Sequence, residues 1–404
     1  MEPFKYLIIG GGMTAAAAAL GIREVDAEDS IAILGDETYR PYDRPDLSKK
    51  LWLGKSEDKI WRKLPAENLT LLLGTAARAI DPQRRQVQTA DGNAVSYHKL
   101  LIATGGAPRK LPFGPEEIVY FRTLDDYHTL RNWMGQGKTF GVIGGGFIGS
   151  EIAAALAING EKVVMVFPEI GIGARLFPED LARSLNETYR SKGVDVRAGL
   201  EIQGIERLGD GFRMVSRDGQ EVRVDHIIAG IGIRPNTELA AGAGISVGGA
   251  EASGGILVDD HLQTNQPDIY AAGDVASFFE PALGQWRRVE HEDNALKMGR
   301  AAGANMAGRD LPYAHQSFFY SDLFDLGYEA VGVLDSRLET FSDWVEPFRK
   351  GVIYYLKDQR VRGVLLWNTW DQVDSARELI AAAETLTPAQ LKGRLPREMS
   401  AVQS

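Results

Sequence analysis

The sequence predicts an α/β protein built from two copies of one strand–turn–helix unit, the second inserted into the first, and closed by a smaller α+β region. Three observations carry this expectation. A glycine-rich turn between an apolar run and an alanine-rich segment occurs twice, at Gly10 and at Gly144. Each turn is followed by a second apolar run that ends in an acid, Asp36 or Glu169. From about Tyr313 the pattern changes to short strand-like runs and one amphipathic helix.

The chain has 404 residues, too many for one typical core, which suggests two or three domains. With 45 glycines, many backbone positions sit in tight turns or close to a ligand. The formal net charge of -10 argues against nucleic acid or an anionic membrane as the main partner. There are no cysteines, so disulfides, thiolate metal sites and redox dithiols are excluded by counting. The six histidines are scattered, and no metal site is expected. No apolar run reaches the roughly 18 to 20 residues of a membrane span. The alanine-rich stretch after Thr14 could mimic a signal-peptide core, but the start carries no basic run and the stretch has a better reading. The expected compartment is the cytoplasm.

Residues 6–9 form a short apolar run, as in a strand buried on both faces. Gly10-Gly11-Gly12-Met13-Thr14-Ala15 follows, then a helix to Ile22. A second apolar run, 31–34, ends at Gly35-Asp36-Glu37. Gly10 permits the sharp turn, Gly12 lets the backbone approach a pyrophosphate, and Ala15 allows close helix–strand packing. The helix N-terminus offers unpaired N–H groups to phosphates. Asp36 can accept hydrogen bonds from ribose hydroxyls.

The whole pattern recurs. Residues 140–143 read as a strand, Gly144-Gly145-Gly146-Phe147-Ile148-Gly149 as the turn, and 150–159 as the helix. Residues 163–167 are the next strand and Glu169 the terminal acid. One such turn is a weak signal, because a tight strand–helix turn without a ligand looks the same. Two complete copies point to two Rossmann-type dinucleotide-binding domains. Residues 100–103 are a further buried-type strand, ending in Thr104-Gly105-Gly106. Asp268-Ile269-Tyr270-Ala271-Ala272-Gly273-Asp274 is another, with Asp274 at its carboxyl end, where ligands of open α/β sheets sit. A carboxylate there suits the hydroxyl-rich ribityl chain of a flavin, although Gly-Asp can also be a plain turn. Residues 227–232 run into Ile233-Arg234-Pro235-Asn236, a crossing back to the first domain. The expected domains are therefore 1–111 (FAD, first part), 112–233 (NADH), 234–313 (FAD, second part) and 314–404 (α+β).

In the last region, 328–333, 351–356 and 361–366 read as strands, with Asp358-Gln359 turning the last two into a hairpin. A helix follows, with Thr369 and Gln372 spaced as a capping box and Val373, Ala376, Leu379, Ile380 and Ala383 on one face. From Thr387, with Pro388 and Pro396, the tail is expected to be mobile.

These residues resemble apoptosis-inducing factor and its bacterial relatives, within the wider flavoprotein family of ferredoxin and rubredoxin reductases. The specific stretches are Tyr42-Asp43-Arg44-Pro45-Asp46-Leu47-Ser48-Lys49, 144–151, Val289-Glu290-His291, Tyr320-Ser321-Asp322-Leu323, Gly327-Tyr328-Glu329-Ala330 and Leu366-Trp367-Asn368. The resemblance implies a glutathione-reductase-like fold with FAD and NADH. It implies that Gly10, Gly12, Met13, Thr14, Ala15, Asp36, Arg44, Lys49, Ala77, Arg122 and Asp274 hold FAD. It places Gly144, Gly146, Phe147, Ile148, Gly149, Glu169, Arg175, Gly232, Glu329 and Asn368 on the NADH side. Lys49 and Glu151 would pair beside the flavin ring, Phe147 would screen or stack on the nicotinamide, and His291, Glu292 and Tyr320 would lie close to the isoalloxazine. Lys49, Glu151, Phe147 and His291 are thus the candidate catalytic residues. Glu292 stands where a second histidine is expected and Tyr320 where a tryptophan is. The long insertion of the mammalian C-terminal domain is missing between Thr340 and Lys350, no mitochondrial targeting segment precedes Phe4, and a cell-death role does not transfer.

Each residue also has a plainer reading. Glu151 could answer only the helix dipole, Lys49 could be solvated, and Arg44, Arg175 and Glu329 could be surface charges. Phe147 and Tyr320 could be core, His291 an exposed helix residue, and Asn368 a helix cap. Two functions follow. One is an enzyme: NADH reduces FAD, which passes electrons to an unidentified acceptor, whether a small redox protein, a quinone or oxygen. The other is a slow-turnover, NADH-responsive redox sensor whose flavin–nicotinamide complex controls homodimer formation or partner binding.

Overall fold

The computed structural model describes residues 2–395. The chain divides into two compact units. One is Met1–Arg44, Ser56–Ala107 and Arg234–Ser317; the other is Pro45–Lys55, Pro108–Ile233 and Phe318–Ser404.

The first unit is organised on a sheet whose strands run in the order Leu69–Leu72, Ile31–Leu34, Phe4–Ile9, Ala94–Ile102, Gln86–Thr89, Ala77–Asp81, with Ile269–Ala271 also pairing with Ala94–Ile102. Phe4–Ile9 lies parallel to Ile31–Leu34 and to Ala94–Ile102. The strand Ala94–Ile102 has two halves. Its start pairs antiparallel with Gln86–Thr89, and its end pairs parallel with Phe4–Ile9 and Ile269–Ala271. Only the parallel end is buried on both faces, which is why the apolar run in the sequence marks that end alone. Helix Met13–Arg23 packs on helix Glu292–Met306 through small side chains: a Cβ on Gly303 would sit 2.0 Å from the Ala18 carbonyl oxygen. Alanine fills this helix because the partner backbone leaves no room for more.

The second unit holds a parallel sheet ordered Asp195–Ala198, Lys162–Phe167, Thr139–Ile143, His226–Ala229. It also holds an antiparallel sheet of Ile202–Leu208, Gly211–Ser216 and Glu221–Val224. The C-terminal residues form a five-stranded antiparallel sheet ordered Phe318–Leu323, Leu326–Gly332, Arg360–Trp367, Lys350–Lys357, Glu339–Glu346. Helix Val373–Ala382 packs on its Leu326–Gly332 and Arg360–Trp367 strands. Asp358 and Gln359, both at positive φ (52° and 60°), make the tight hairpin.

Several expectations need correction. The last helix begins at Val373 with Gln372 as its N-cap, so Thr369 and Gln372 form no capping box. The Thr369 hydroxyl instead donates to the carbonyls of Gly351 and Trp367, at 3.1 and 3.0 Å. The tail is packed as far as residue 395. Thr387 caps a short helix, Pro388–Leu391, in a capping box with Gln390; Leu391 and Leu395 are buried, and Gly393 N–H donates to Asp343 at 2.7 Å. Pro396 and the residues after it lie outside the described residues. Strands Phe318–Leu323 and Glu339–Glu346 carry no apolar run and were not expected.

Candidate functional site

In the first unit, Gly10 ends its strand at φ 115°, and a Cβ there would meet the Ala103 carbonyl oxygen at 2.1 Å. Gly12 behaves oppositely: a Cβ would meet nothing within 4 Å. Gly12 is the N-cap of helix Met13–Arg23, which has no side-chain cap and no acid in its first turn. Met13, Thr14 and Ala15 form that first turn and are buried. The second unit repeats this around Gly144 (φ 112°), Gly146 (nothing within 4 Å of a Cβ) and helix Phe147–Ile158, again uncapped and without an early acid. A Cβ on Gly149 would lie 2.0 Å from the Gly144 carbonyl oxygen, so this turn requires glycine where the first turn has Ala15. Among the described residues, every other helix of eight or more residues has an acid in its first turn. Two helix N-termini with no side-chain cap, open space above the glycine and no built-in anion fit two pyrophosphates. The residues present therefore fit FAD and NAD(H).

Around the first turn, Asp36 is exposed and accepts from the Glu37 N–H at 3.0 Å. The neighbouring Glu37, which the sequence reading passed over, accepts from the Tyr42 hydroxyl at 2.6 Å and pairs with Arg44. Arg44 also donates to the Tyr42 oxygen at 3.1 Å. Burial pulls the Arg44 guanidinium down, but Tyr42, Glu37 and Asp274 outweigh it and hold the group above its ordinary range. Asp274 lies in the tight turn Gly273–Val275; a Cβ on Gly273 would meet the Thr14 hydroxyl at 2.3 Å, so this turn packs against the first helix. Ala77 opens strand Ala77–Asp81 and is half-buried. His291 is the N-cap of helix Glu292–Met306, and Glu292 its first residue. Asn294 donates to the Val289 carbonyl at 3.0 Å and so holds the turn that carries His291.

In the second unit the structure brings Lys49 and Glu151 together, although they are 102 residues apart in sequence. Their ion pair is buried, with side-chain exposures of 8% and 6%. Two serines complete the carboxylate's partners: Ser48 donates to Oε2 and Ser321 to Oε1, each at 2.6 Å. Lys49 lies over the Tyr320 ring, 5.3 Å from its centre. The segment bearing Lys49 is anchored beside it. The Trp52 indole N–H donates to the Leu47 carbonyl at 2.6 Å, packs edge-on against Tyr127 and receives the Arg131 guanidinium over its ring. Burial first, and the Glu151 carboxylate second, push the Tyr189 and Tyr328 phenols well above their ordinary range. Arg122 sits just before Thr123, which caps helix Leu124–Trp133, and its N–H donates to Asp126 at 2.9 Å.

At the start of the second unit's helix, Phe147 packs edge-on against Phe319, with ring centres 5.6 Å apart, and Ile148 is half-buried beside it. Glu169 is ion-paired with Arg175 at 2.6 Å, and Arg175 is 83% exposed. Gly232 (φ 96°) accepts from the Arg109 N–H at 2.9 Å. Glu329 has a buried Oε2 without a hydrogen-bond partner, and burial, then Asp371, pushes its carboxyl up. An unmatched carboxylate oxygen fits a donor such as a carboxamide. Asn368 is engaged at both ends of its amide, accepting from Gly327 N–H at 2.7 Å and donating to the Arg349 carbonyl at 2.9 Å.

Residues 4–299 match the family described as pyridine nucleotide-disulphide oxidoreductase. The chain belongs to this family. Residues 302–347 and 342–382 match the C-terminal family of mitochondrion-associated apoptosis-inducing factor. Mitochondrial apoptosis-inducing factor 1 of Dictyostelium discoideum is 36% identical, over 96% of this chain and 80% of its own length. Putidaredoxin reductase of Pseudomonas putida is 31% identical, over 93% of this chain and 91% of its own. Among solved structures, the covalent putidaredoxin reductase–putidaredoxin complex superposes with a TM-score of 0.88 at 30% identity, covering 96% of this chain and 95% of that one. The fold is that of this pyridine-nucleotide oxidoreductase family, and the protein is an oxidoreductase whose cofactors are FAD and NAD(H).

Proposed function

We propose that this protein takes a hydride from NADH and delivers the electrons to a small redox protein. The observation that carries the reading is the absence of cysteine. The family is named for a disulphide, yet this chain has no thiol pair through which electrons could pass. The relatives agree in kind: one is named a putidaredoxin reductase, and the solved neighbour is such a reductase joined to its redox partner.

Bound FAD supplies the hydride acceptor and the ability to release electrons singly. The chain's own residues do the rest. Gly12 and the free N-terminus of helix Met13–Arg23 would hold one pyrophosphate, and Asp36, Arg44 and Asp274 the polar parts of the same cofactor. Gly146 and the free N-terminus of helix Phe147–Ile158 would hold the dinucleotide of NADH. Glu169 accepts ribose hydroxyls and repels a 2′-phosphate. Phe147 covers the nicotinamide, Glu329 takes its amide donor, and the Lys49–Glu151 pair places a cation where negative charge develops.

The test is an acceptor screen under NADH with ferricyanide, quinones and small redox proteins. Fast, saturable reduction of one class of redox protein is expected. Turnover with quinone or oxygen alone overturns the reading.

A second reading, a slow NADH-responsive sensor, is favoured by the match of the C-terminal residues to the apoptosis-inducing-factor family. Mixing the protein with NADH in air separates the two. Fast bleaching and recovery support the reductase; a persistent long-wavelength band with an NADH-dependent change in gel-filtration volume supports the sensor.

A further inference from the structure

The Glu151 carboxylate has more partners than an ion pair needs. Oε1 receives both Lys49 and Ser321, and Oε2 receives Ser48. Glu151, Ser48 and Ser321 are 5%, 6% and 1% exposed. Water does not complete a carboxylate this deep, so its remaining lone pairs must be met by the protein. The two serines come from opposite ends of the chain, one beside Lys49 and one on strand Phe318–Leu323.

The proton count gives this cluster a direction. A serine hydroxyl has one proton and can still accept. Ser321 gives its proton to an acceptor-only carboxylate, so its own oxygen is left to accept. Tyr328 is the residue directly across the strand pair from Ser321. The Ser321 hydroxyl thus spends its proton on the same Glu151 oxygen that holds Lys49. Tyr328 is itself locked, stacked on Trp367 with ring centres 5.6 Å apart and 10° between planes.

We infer that Ser321 is a positioning residue for the redox site: it fixes the Glu151 oxygen on which the Lys49 ammonium rests, and so the place of that cation. Ser48 does the same for the other oxygen. This inference rests on the reading that the Lys49–Glu151 pair serves the flavin. Without the Ser321 hydroxyl, Oε1 is held by Lys49 alone and only Ser48 restrains the carboxylate's rotation, so the ammonium's place is less firmly set.

The experiment uses the full-length flavin-loaded protein and four variants, Ser321→Ala, Ser321→Thr, Ser321→Cys and Lys49→Ala. It reads the flavin midpoint potential, the limiting rate and half-saturation of reduction by NADH, and the melting temperature. Losing a hydrogen bond to a charged group corresponds to about tenfold to a hundredfold. Ser321→Ala should slow the limiting rate by about that factor and shift the potential, with half-saturation changed by less than about threefold. Ser321→Thr, which keeps the hydroxyl, should restore both, and Ser321→Cys, whose thiol is a weak donor, should act in the same direction as Ser321→Ala but less. If Ser321→Ala melts earlier yet keeps the wild-type potential and limiting rate, the hydroxyl only supports the fold and the inference is overturned. Should Ser321→Ala not fold, Ser321→Cys decides by the same readouts. Lys49→Ala separates the two levels: an effect of Lys49→Ala without one of Ser321→Ala removes the inference alone, whereas no effect of Lys49→Ala removes the reading beneath it.

Discussion

Counted from the first glycine of each turn, Ala17 and Glu151 hold the same place, seven residues after Gly10 and Gly144. Both are buried, Ala17 at 7% exposure and Glu151 at 5%. Ala17 faces another helix: a Cβ on Gly299 would come within 3.2 Å of its own. Glu151 faces a lysine and two serines. The two turns thus share their glycine pattern and uncapped helix start and differ one helical turn later. There the first helix is used for packing and the second for charge. A duplicated nucleotide unit repeats its backbone chemistry; what the following helix packs against decides the rest.

The largest break in this comparison is to exchange the two side chains. Ala17→Glu places an acid against a helix backbone instead of a lysine, and should cost about 3 to 5 kcal/mol, with flavin lost at a lower temperature in a thermal melt. Glu151→Ala leaves Lys49 without its acid and should cost about 3 kcal/mol, and Lys49→Ala should lower the flavin potential and slow reduction. The double variant should fall well short of the sum of the single losses. Additive losses in that cycle would mean that the pair contributes nothing as a pair.

Smaller effects sharpen the comparison at the acids that end the second strands. Asp36 is exposed, and Glu169 is tied to Arg175. NADH should be preferred over NADPH by roughly tenfold to a thousandfold. Glu169→Ala should narrow that ratio by about tenfold, or about 1.4 kcal/mol, in stopped-flow reduction. A ratio unchanged by this substitution would place the ribose elsewhere.

The smallest effect separates a satisfied buried acid from an unsatisfied one. Glu151 has three donors, whereas Glu329 keeps a bare Oε2 and a raised carboxyl, first through burial and then through Asp371. A carboxyl raised in the fold favours folding where it is protonated and loses that contribution as pH climbs through its raised value. Glu329→Gln should therefore raise the melting temperature at pH 7 to 8, by under about 1 kcal/mol after allowance for partial exposure, and the gain should vanish toward pH 4. An equal gain at both ends would rule out titration as its source.

What could be read from the sequence follows from what leaves a period behind. Strands Phe4–Ile9, Thr139–Ile143 and Lys162–Phe167 are legible because burial on both faces makes them continuous apolar runs. Gly10 and Gly144 are legible because a positive φ and a neighbouring carbonyl leave no room for a side chain, and Gly12 and Gly146 because they recur two residues after them. Strand Glu339–Glu346 is not, because it is the edge of its sheet and largely polar. Lys49 with Glu151 was legible only through family resemblance. Glu37, Tyr42, Ser48 and Ser321 were passed over although three of them stood inside quoted motifs. A hydroxyl that reaches across 103 or 170 residues leaves no spacing to detect.

The position of Ser321 also sets an order of events during synthesis. Lys49 emerges from the ribosome 102 residues before Glu151, and Ser321 emerges 170 residues after it. At cellular elongation rates that last interval is roughly ten to thirty seconds. Throughout it, helix Phe147–Ile158 carries an acid whose second serine has not yet been made, on a face that strand Phe318–Leu323 has yet to cover. The Lys49–Glu151 pair is therefore among the last parts of its unit to be closed over. A nascent chain stalled before residue 321 has both glycine turns in hand and one donor too few for Glu151.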